Sequence, residues 1–242
     1  MSGRRVTLVT GGARRVGAAI VRGCAARGDA VILHHGSSPA DADALAAELR
    51  SGGASVHVVQ ADLADGDSPD LLIETALQVF GRLDVLVSSA SVMRRVKFGT
   101  VTAAQWDDTA AINLRAPFLL MQAAARAMTD GGVMIQLSDH LAFETGFAHL
   151  IPHQVTKAAL TQLVETVAVA VAPRIRVNAV APGLVLAPPD MSPAAREAFL
   201  RDVPLAREGT PDDIVAAILY LIDAPYVTGV VLPVDGGRHL RR

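Results

Sequence analysis
The chain has 242 residues, enough for one α/β domain or two small ones around a buried core. A formal net charge of -2 with a hydrophobic fraction of 51% argues against nucleic acid or an anionic membrane recruited by bulk charge. The single cysteine, Cys24, suits a reducing compartment, no signal peptide is expected from MSGRRVTLVTGG, and Arg126 and Glu165 break the longest apolar runs well below the ~20 residues of a membrane span.

In chain order, strands are expected at Val6–Thr10, Ala30–His34, Ser55–Gln60, Val85–Ser88, Val133–Leu137, Ile175–Val180 and Val230–Val234. Between them, Ala/Leu-rich segments predict helices starting near Arg15, Asp41, Pro69, Ala103, His153 and Pro211. Several follow a cap-type residue: Ser38 or Asp41, Ser68, Thr102 and Thr210. Strands this apolar on both faces belong in a parallel sheet covered by helices on both sides. With no linker or composition shift, residues 1–242 are expected to form one doubly wound, seven-stranded α/β domain. The helix KAALTQLVETVAVAVA, residues 157–172, is apolar on nearly every side, which predicts a homotetramer or dimer covering its outer face.

The first chemical motif is VTGGARRVGAAI, from Val9 to Ile20, where a strand gives way to a helix. Gly11 and Gly17 permit the tight turn that brings a pyrophosphate to backbone N–H groups at the helix start. Cofactor choice follows from the second strand, which runs into Leu33-His34-His35-Gly36-Ser37-Ser38 with no carboxylate before Asp41. An acidic residue there would favour NAD. Arg15, Ser37, Ser38 and His35 instead offer donors to a 2′-phosphate, which predicts NADPH.

The motif resembles the TGxxxGxG signature of short-chain dehydrogenases/reductases, and further pieces fall in that family's order along the whole chain. These are Asp62-Leu63, Ser88-Ser89-Ala90-Ser91, Asn113 in AAINLRAPF, Ser138-Asp139, Lys157, Pro182-Gly183 and Val234-Asp235-Gly236-Gly237. Arg15, HHGSS, VAPGLVLAPPDMSP and VDGGRHL resemble more narrowly the pteridine reductase and dihydromonapterin reductase branch. The resemblance implies a Rossmann-type fold. It also implies cofactor contacts from Arg14, Val16, Asp62, Leu63, Ser89, Ala90, Ser91, Lys157, Pro182, Gly183 and Leu184.

The family's proton-donating tyrosine is replaced by His153 in PHQVTK, four residues before Lys157. The only tyrosines, Tyr220 and Tyr226, cannot restore the motif. By position Lys157 would hold the nicotinamide ribose and Asn113 a water chain to it. Asp139, or else His140, takes the place of the substrate-orienting serine, with Ser138 before it. A neutral imidazole is a feeble acid, so ordinary ketone reduction should suffer. An iminium carbon needs hydride alone, with Asp139 stabilising the cation. This predicts an NADPH-dependent reductase of a C=N group in a small cyclic substrate. His153 either acts as acid or base or only shapes the pocket. The competing expectations are an atypical carbonyl reductase, or a non-redox catalyst or regulator using His153 and Asp139. Met93 stands where pteridine reductases place an aromatic ring, while 184–202 reads as a lid with Met191 and Phe199 as substrate contacts. A cytoplasmic location and no metal site are expected.

Overall fold
In the computed structural model, which describes residues 3–188 and 191–240, the seven expected strands all form. They are β1 (Val6–Thr10), β2 (Ala30–His35), β3 (Val56–Gln60), β4 (Val85–Ser88), β5 (Gly132–Leu137), β6 (Ile175–Pro182) and β7 (Val231–Val234). The sheet is parallel throughout, in the order β3-β2-β1-β4-β5-β6-β7. Strand order reverses between β1 and β4, so a crevice opens at their carboxyl ends. Of the expected domain 1–242 and lid 184–202, residues 1–2, 189–190 and 241–242 lie outside the described part.

The helices are α1 (Arg15–Ala26), α2 (Pro39–Ser51), α3 (Ser68–Phe80), α4 (Ala103–Ala110), α5 (Ala116–Ala127), α6 (Ile151–Val171), α7 (Pro193–Arg201) and α8 (Pro211–Asp223). Alternate strand residues enter different cores, because successive side chains of a strand point to opposite faces. Val9, Val31 and Leu33 pack with α1, α2 and α8, whereas Leu8, Ala30 and Ile32 pack with α3, α5 and α6. This double burial accounts for strands that read as continuous apolar runs. No helix among the described residues is long and apolar enough to cross a membrane.

Thr102 and Thr210 both form capping boxes, the first with Gln105 and the second with Asp213. The cap before α3 is Asp67 rather than Ser68, and α6 begins two residues before His153. Two features went unforeseen. A π-helical turn, Ala111–Arg115, joins α4 to α5. Inside the expected lid, α7 is N-capped by Ser192, whose hydroxyl accepts from the Ala195 N–H. Helix α7 buries none of its residues, so it carries no apolar stripe to announce it.

Candidate active site
At the carboxyl ends of β1 and β4 lies a cleft of about 690 Å³. Thirteen of the expected cofactor residues line it: Gly11, Arg14, Arg15, Val16, Gly17, His35, Ser37, Ser38, Asp62, Leu63, Ser89, Ala90 and Ser91. Its floor has no room for side chains at two glycines. Gly11 has φ +64°, and a Cβ there would lie 2.9 Å from the Ala90 Cα. A Cβ on Gly17 would come within 2.0 Å of the Gly11 carbonyl oxygen. The Thr10 hydroxyl accepts from the Ser89 and Ala90 N–H groups at 3.1 and 3.2 Å, fixing the loop after β4 against this turn.

His34 was not foreseen as a site residue. The Gly11 N–H donates to its Nδ1 at 3.2 Å, so the ring proton sits on Nε2 and is donated to the Ala61 carbonyl at 3.0 Å. Burial lowers its pKa to about 4, which keeps this neutral tautomer. The imidazole thereby staples the glycine turn to the end of β3. Only the side chain's direction reveals this, and a histidine in an apolar strand gives no such signal.

The two arginines of the glycine turn diverge. Arg15 has φ +53°, in the left-handed region, where a non-glycine residue costs about 1–2 kcal/mol. Its guanidinium donates to the Leu186 carbonyl of the lid segment. Arg14 instead lies beside the first turn of α2, its Nε 3.8 Å from the Asp41 carboxylate. Arg15 still lines the cleft with its guanidinium turned toward the lid, while Arg14 is the arginine directed at the start of α2, next to Ser38.

Around His153 the elements converge. The π turn carries Asn113, whose carboxamide oxygen accepts from the Ser91 hydroxyl at 3.1 Å and the Val92 N–H at 2.8 Å. Its amide nitrogen donates to the Val92 carbonyl at 2.9 Å and lies 3.3 Å from both His153 Nδ1 and the Thr156 hydroxyl. Asn113 thus clamps the loop after β4 to α6. A π turn shifts the helical register by one residue, a device common at functional sites. His153, on the first turn of α6, is buried, with Nδ1 3.0 Å from the Val92 carbonyl and Nε2 3.2 Å from Asp139 Oδ2. Lys157, one turn on, donates from Nζ to the Leu137 carbonyl at 2.6 Å. Burial lowers its pKa to about 8, against the opposing pull of the Asp139 carboxylate.

Beyond the end of β5, alternation decides between the candidate residues. Ser138 turns toward α6, where its hydroxyl donates to the Lys157 carbonyl at 3.3 Å; it is buried and is corrected from a substrate contact to a packing residue. Asp139 turns toward His153. Its Oδ1 accepts from the Leu141 N–H at 2.9 Å and lies 2.9 Å from His140 Nδ1. Burial would raise the Asp139 pKa, but the hydrogen bonds from His140 and His153 prevail and hold its carboxyl below the usual range. Both oxygens are thus already engaged by the protein. His140 stands behind Asp139, its ring edge-on to Phe199 of α7 at 5.5 Å. Phe199 accordingly meets His140 and Arg238, the latter stacked 4.0 Å over its ring. Met191 lines a separate concavity with Arg15 and Leu186, and Met93 is exposed. Pro182, Gly183 and Leu184 lie outside the lining of the main cleft, although the Pro182 carbonyl is 3.2 Å from His140 Nδ1.

A doubly wound parallel sheet with a glycine turn at its strand-order reversal, and a polar cluster beside it, defines a dinucleotide-binding enzyme fold. Residues 11–239 match the family described as "Enoyl-(Acyl carrier protein) reductase". The chain belongs to the short-chain dehydrogenase/reductase family of oxidoreductases. It is 37% identical to L-rhamnose 1-dehydrogenase (NAD(P)(+)) of Azotobacter vinelandii, with 96% of each chain covered. Among solved structures it resembles a blue fluorescent protein from a metagenomic library in complex with NADPH, at 35% identity and TM-score 0.92 over 98% of each chain. It also resembles FolM alternative dihydrofolate reductase 1 from Brucella canis complexed with NADP, at 32% identity and TM-score 0.92, covering 99% of this chain and 96% of that one.

Proposed function
We propose that the protein is an NADPH-dependent reductase that delivers hydride to a C=N group, an iminium or a dihydropterin-like imine, in a small cyclic substrate. The carrying observation is that both ring nitrogens of His153 are engaged by the protein, Nδ1 beside Val92 and Asn113 and Nε2 beside Asp139. No phenol stands in this position, and the imidazole is directed at a carboxylate rather than into the cleft. A substrate that arrives as a cation needs no further proton, and Asp139 supplies the negative charge to hold it.

NADPH would supply the hydride. The glycine turn, with no space for a Cβ at Gly11 or Gly17, fits its pyrophosphate. Arg14, Ser37 and Ser38 fit its 2′-phosphate, and Lys157 would hold the nicotinamide ribose. The structures in complex with NADPH and NADP support this choice. One feature favours a second reading, carbonyl reduction. The Asp139 carboxylate, 3.2 Å from His153 Nε2, orients the imidazole as a carboxylate partner orients an acid–base histidine.

Assembly is part of the same reading. Val169 on α6 is 81% exposed and Phe118 on α5 is half-exposed. Between these helices runs a concavity of about 750 Å³ lined by Ala110, Leu114, Phe118 and Leu163. We assign this face to a dimer or tetramer contact, in a cytoplasmic protein. NADPH oxidation, followed with a panel of cyclic imines, dihydropterins and ketones, tests the function. Turnover confined to the C=N compounds is expected. Tight NADPH binding with no imine turned over would overturn the proposal.

A further inference from the structure
Behind Asp139 the ionisable groups alternate in sign. His140 Nδ1 lies 2.9 Å from Asp139 Oδ1. His140 Nε2, a buried atom with no hydrogen-bond partner, lies 3.7 Å from Glu144 Oε1. Glu144 then takes a two-point ion pair from Arg238, with Nε and Nη2 donating at 2.9 and 3.1 Å. Side chains of His140, Glu144 and Arg238 are all within about a tenth of full burial. Arg238, in the 3₁₀ turn Arg238–Leu240, also donates to the Phe199 carbonyl at 3.2 Å and lies 3.5 Å from Asp202 at the end of α7. From α6 the cluster is faced by His153 and Lys157, through Asp139.

A carboxylate this enclosed stays ionised only if its partners supply charge and hydrogen bonds. Asp139 receives both, and its anionic end is the one that faces His153. We propose that His140 and Glu144 are positioning residues. In this proposal His140, held as an imidazolium between two carboxylates, keeps Asp139 ionised with Oδ2 on His153, and Arg238 fixes the far end of the chain beneath the lid helix. Neutral His140 would leave Glu144 facing a bare nitrogen at 3.7 Å and would remove the cation that separates the Asp139 and Glu144 carboxylates. The raised pKa of His140 agrees: burial lowers it, but the Asp139 hydrogen bond and the charges of Asp139 and Glu144 outweigh that. This inference rests on reading Asp139 and His153 as the reacting end of the site, and not on which bond is reduced.

The test is a nitrogen-15 NMR titration of the histidine rings in the full-length, cofactor-free protein, so it needs no substrate. At pH 7 both His140 nitrogens are expected to show imidazolium shifts. Glu144→Gln should lower the His140 midpoint by about one pH unit, equivalent to about 1.4 kcal/mol. In His140→Asn the nitrogen-15 shifts of the His153 ring should change at fixed pH, because its partner Asp139 loses its second histidine. The amide spectrum of each variant reports whether the fold is kept, and Glu144→Gln leaves Asp139 and both rings in place should His140→Asn fail to fold. A neutral His140 at pH 7, or a His140 midpoint unmoved in Glu144→Gln, would overturn the inference and leave the reduction chemistry unaffected. Absence of imine turnover would, conversely, leave these titrations intact.

Discussion
Single side chains carry most of what distinguishes this site from the family pattern. The two arginines of the glycine turn are neighbours in sequence, yet the positive φ of Arg15 sends it to Leu186 while Arg14 stays beside Asp41. The cofactor preference should therefore depend on Arg14. By calorimetry NADPH should bind at least about tenfold tighter than NADH, a difference of about 1.4 kcal/mol. Arg14→Ala should erase most of that gap, and Arg15→Ala should leave it. Loss of the preference in Arg15→Ala alone would return the role to Arg15. This divergence was not legible from residue types, because it depends on one backbone dihedral. The proximity of His153, Asp139, Asn113 and Lys157 follows from motif positions that could be read in the sequence. The directions of Ser138 and His140 could not be read there, since they follow from where β5 ends and which side of the pleat each residue meets.

Among the elements, the strands could be read almost to the residue, because burial on both faces imposes continuous apolar runs that turn residues interrupt, whereas their order in the sheet came from the structure alone. The π turn at Ala111–Arg115 could not be read, since AINLR has ordinary helical composition and its irregularity is fixed by what Asn113 must reach. Asn113 is buried and spans the Ser91–Val92 loop, Thr156 and His153. Asn113→Ala strands the Val92 N–H and leaves the Val92 carbonyl to His153 alone. A loss of about 1–3 kcal/mol in stability is expected from urea unfolding. Unchanged stability would mean that the turn is held by other contacts. Helix α7 was hidden for the opposite reason: its residues are mostly exposed, so it has no burial pattern to read.

The whole molecule should respond to pH through its buried ionisable groups. His34 has a folded pKa of about 4 against 6.5 in the unfolded chain. Between those values the unfolded state binds the extra proton, so His34's contribution is complete above pH 6.5 and is lost as pH falls toward 4. It amounts to about 3 kcal/mol at most. Asp139 adds to this, because its depressed pKa favours the fold above about pH 3.8 and loses that effect below. His140 opposes, its raised pKa stabilising the fold below pH 6.5 and fading as pH rises. Lys157, depressed to about 8, makes the cofactor-free fold gain stability from pH 8 toward 10.5. The melting temperature should therefore fall between pH 6.5 and 4.5, and fall less steeply in His34→Gln. Parallel curves for the two proteins would show that His34 is not the group responsible.

The most direct test of reduction without a phenolic acid is the His153→Phe variant, assayed at saturating NADPH on whichever cyclic imine the native protein reduces best. Retention of NADPH affinity would confirm that the cleft is intact. Turnover within about tenfold of native, about 1.4 kcal/mol in barrier, is the expected result. A loss of several thousandfold, about 5 kcal/mol, would show His153 to be the proton donor and contradict hydride transfer to an already protonated substrate.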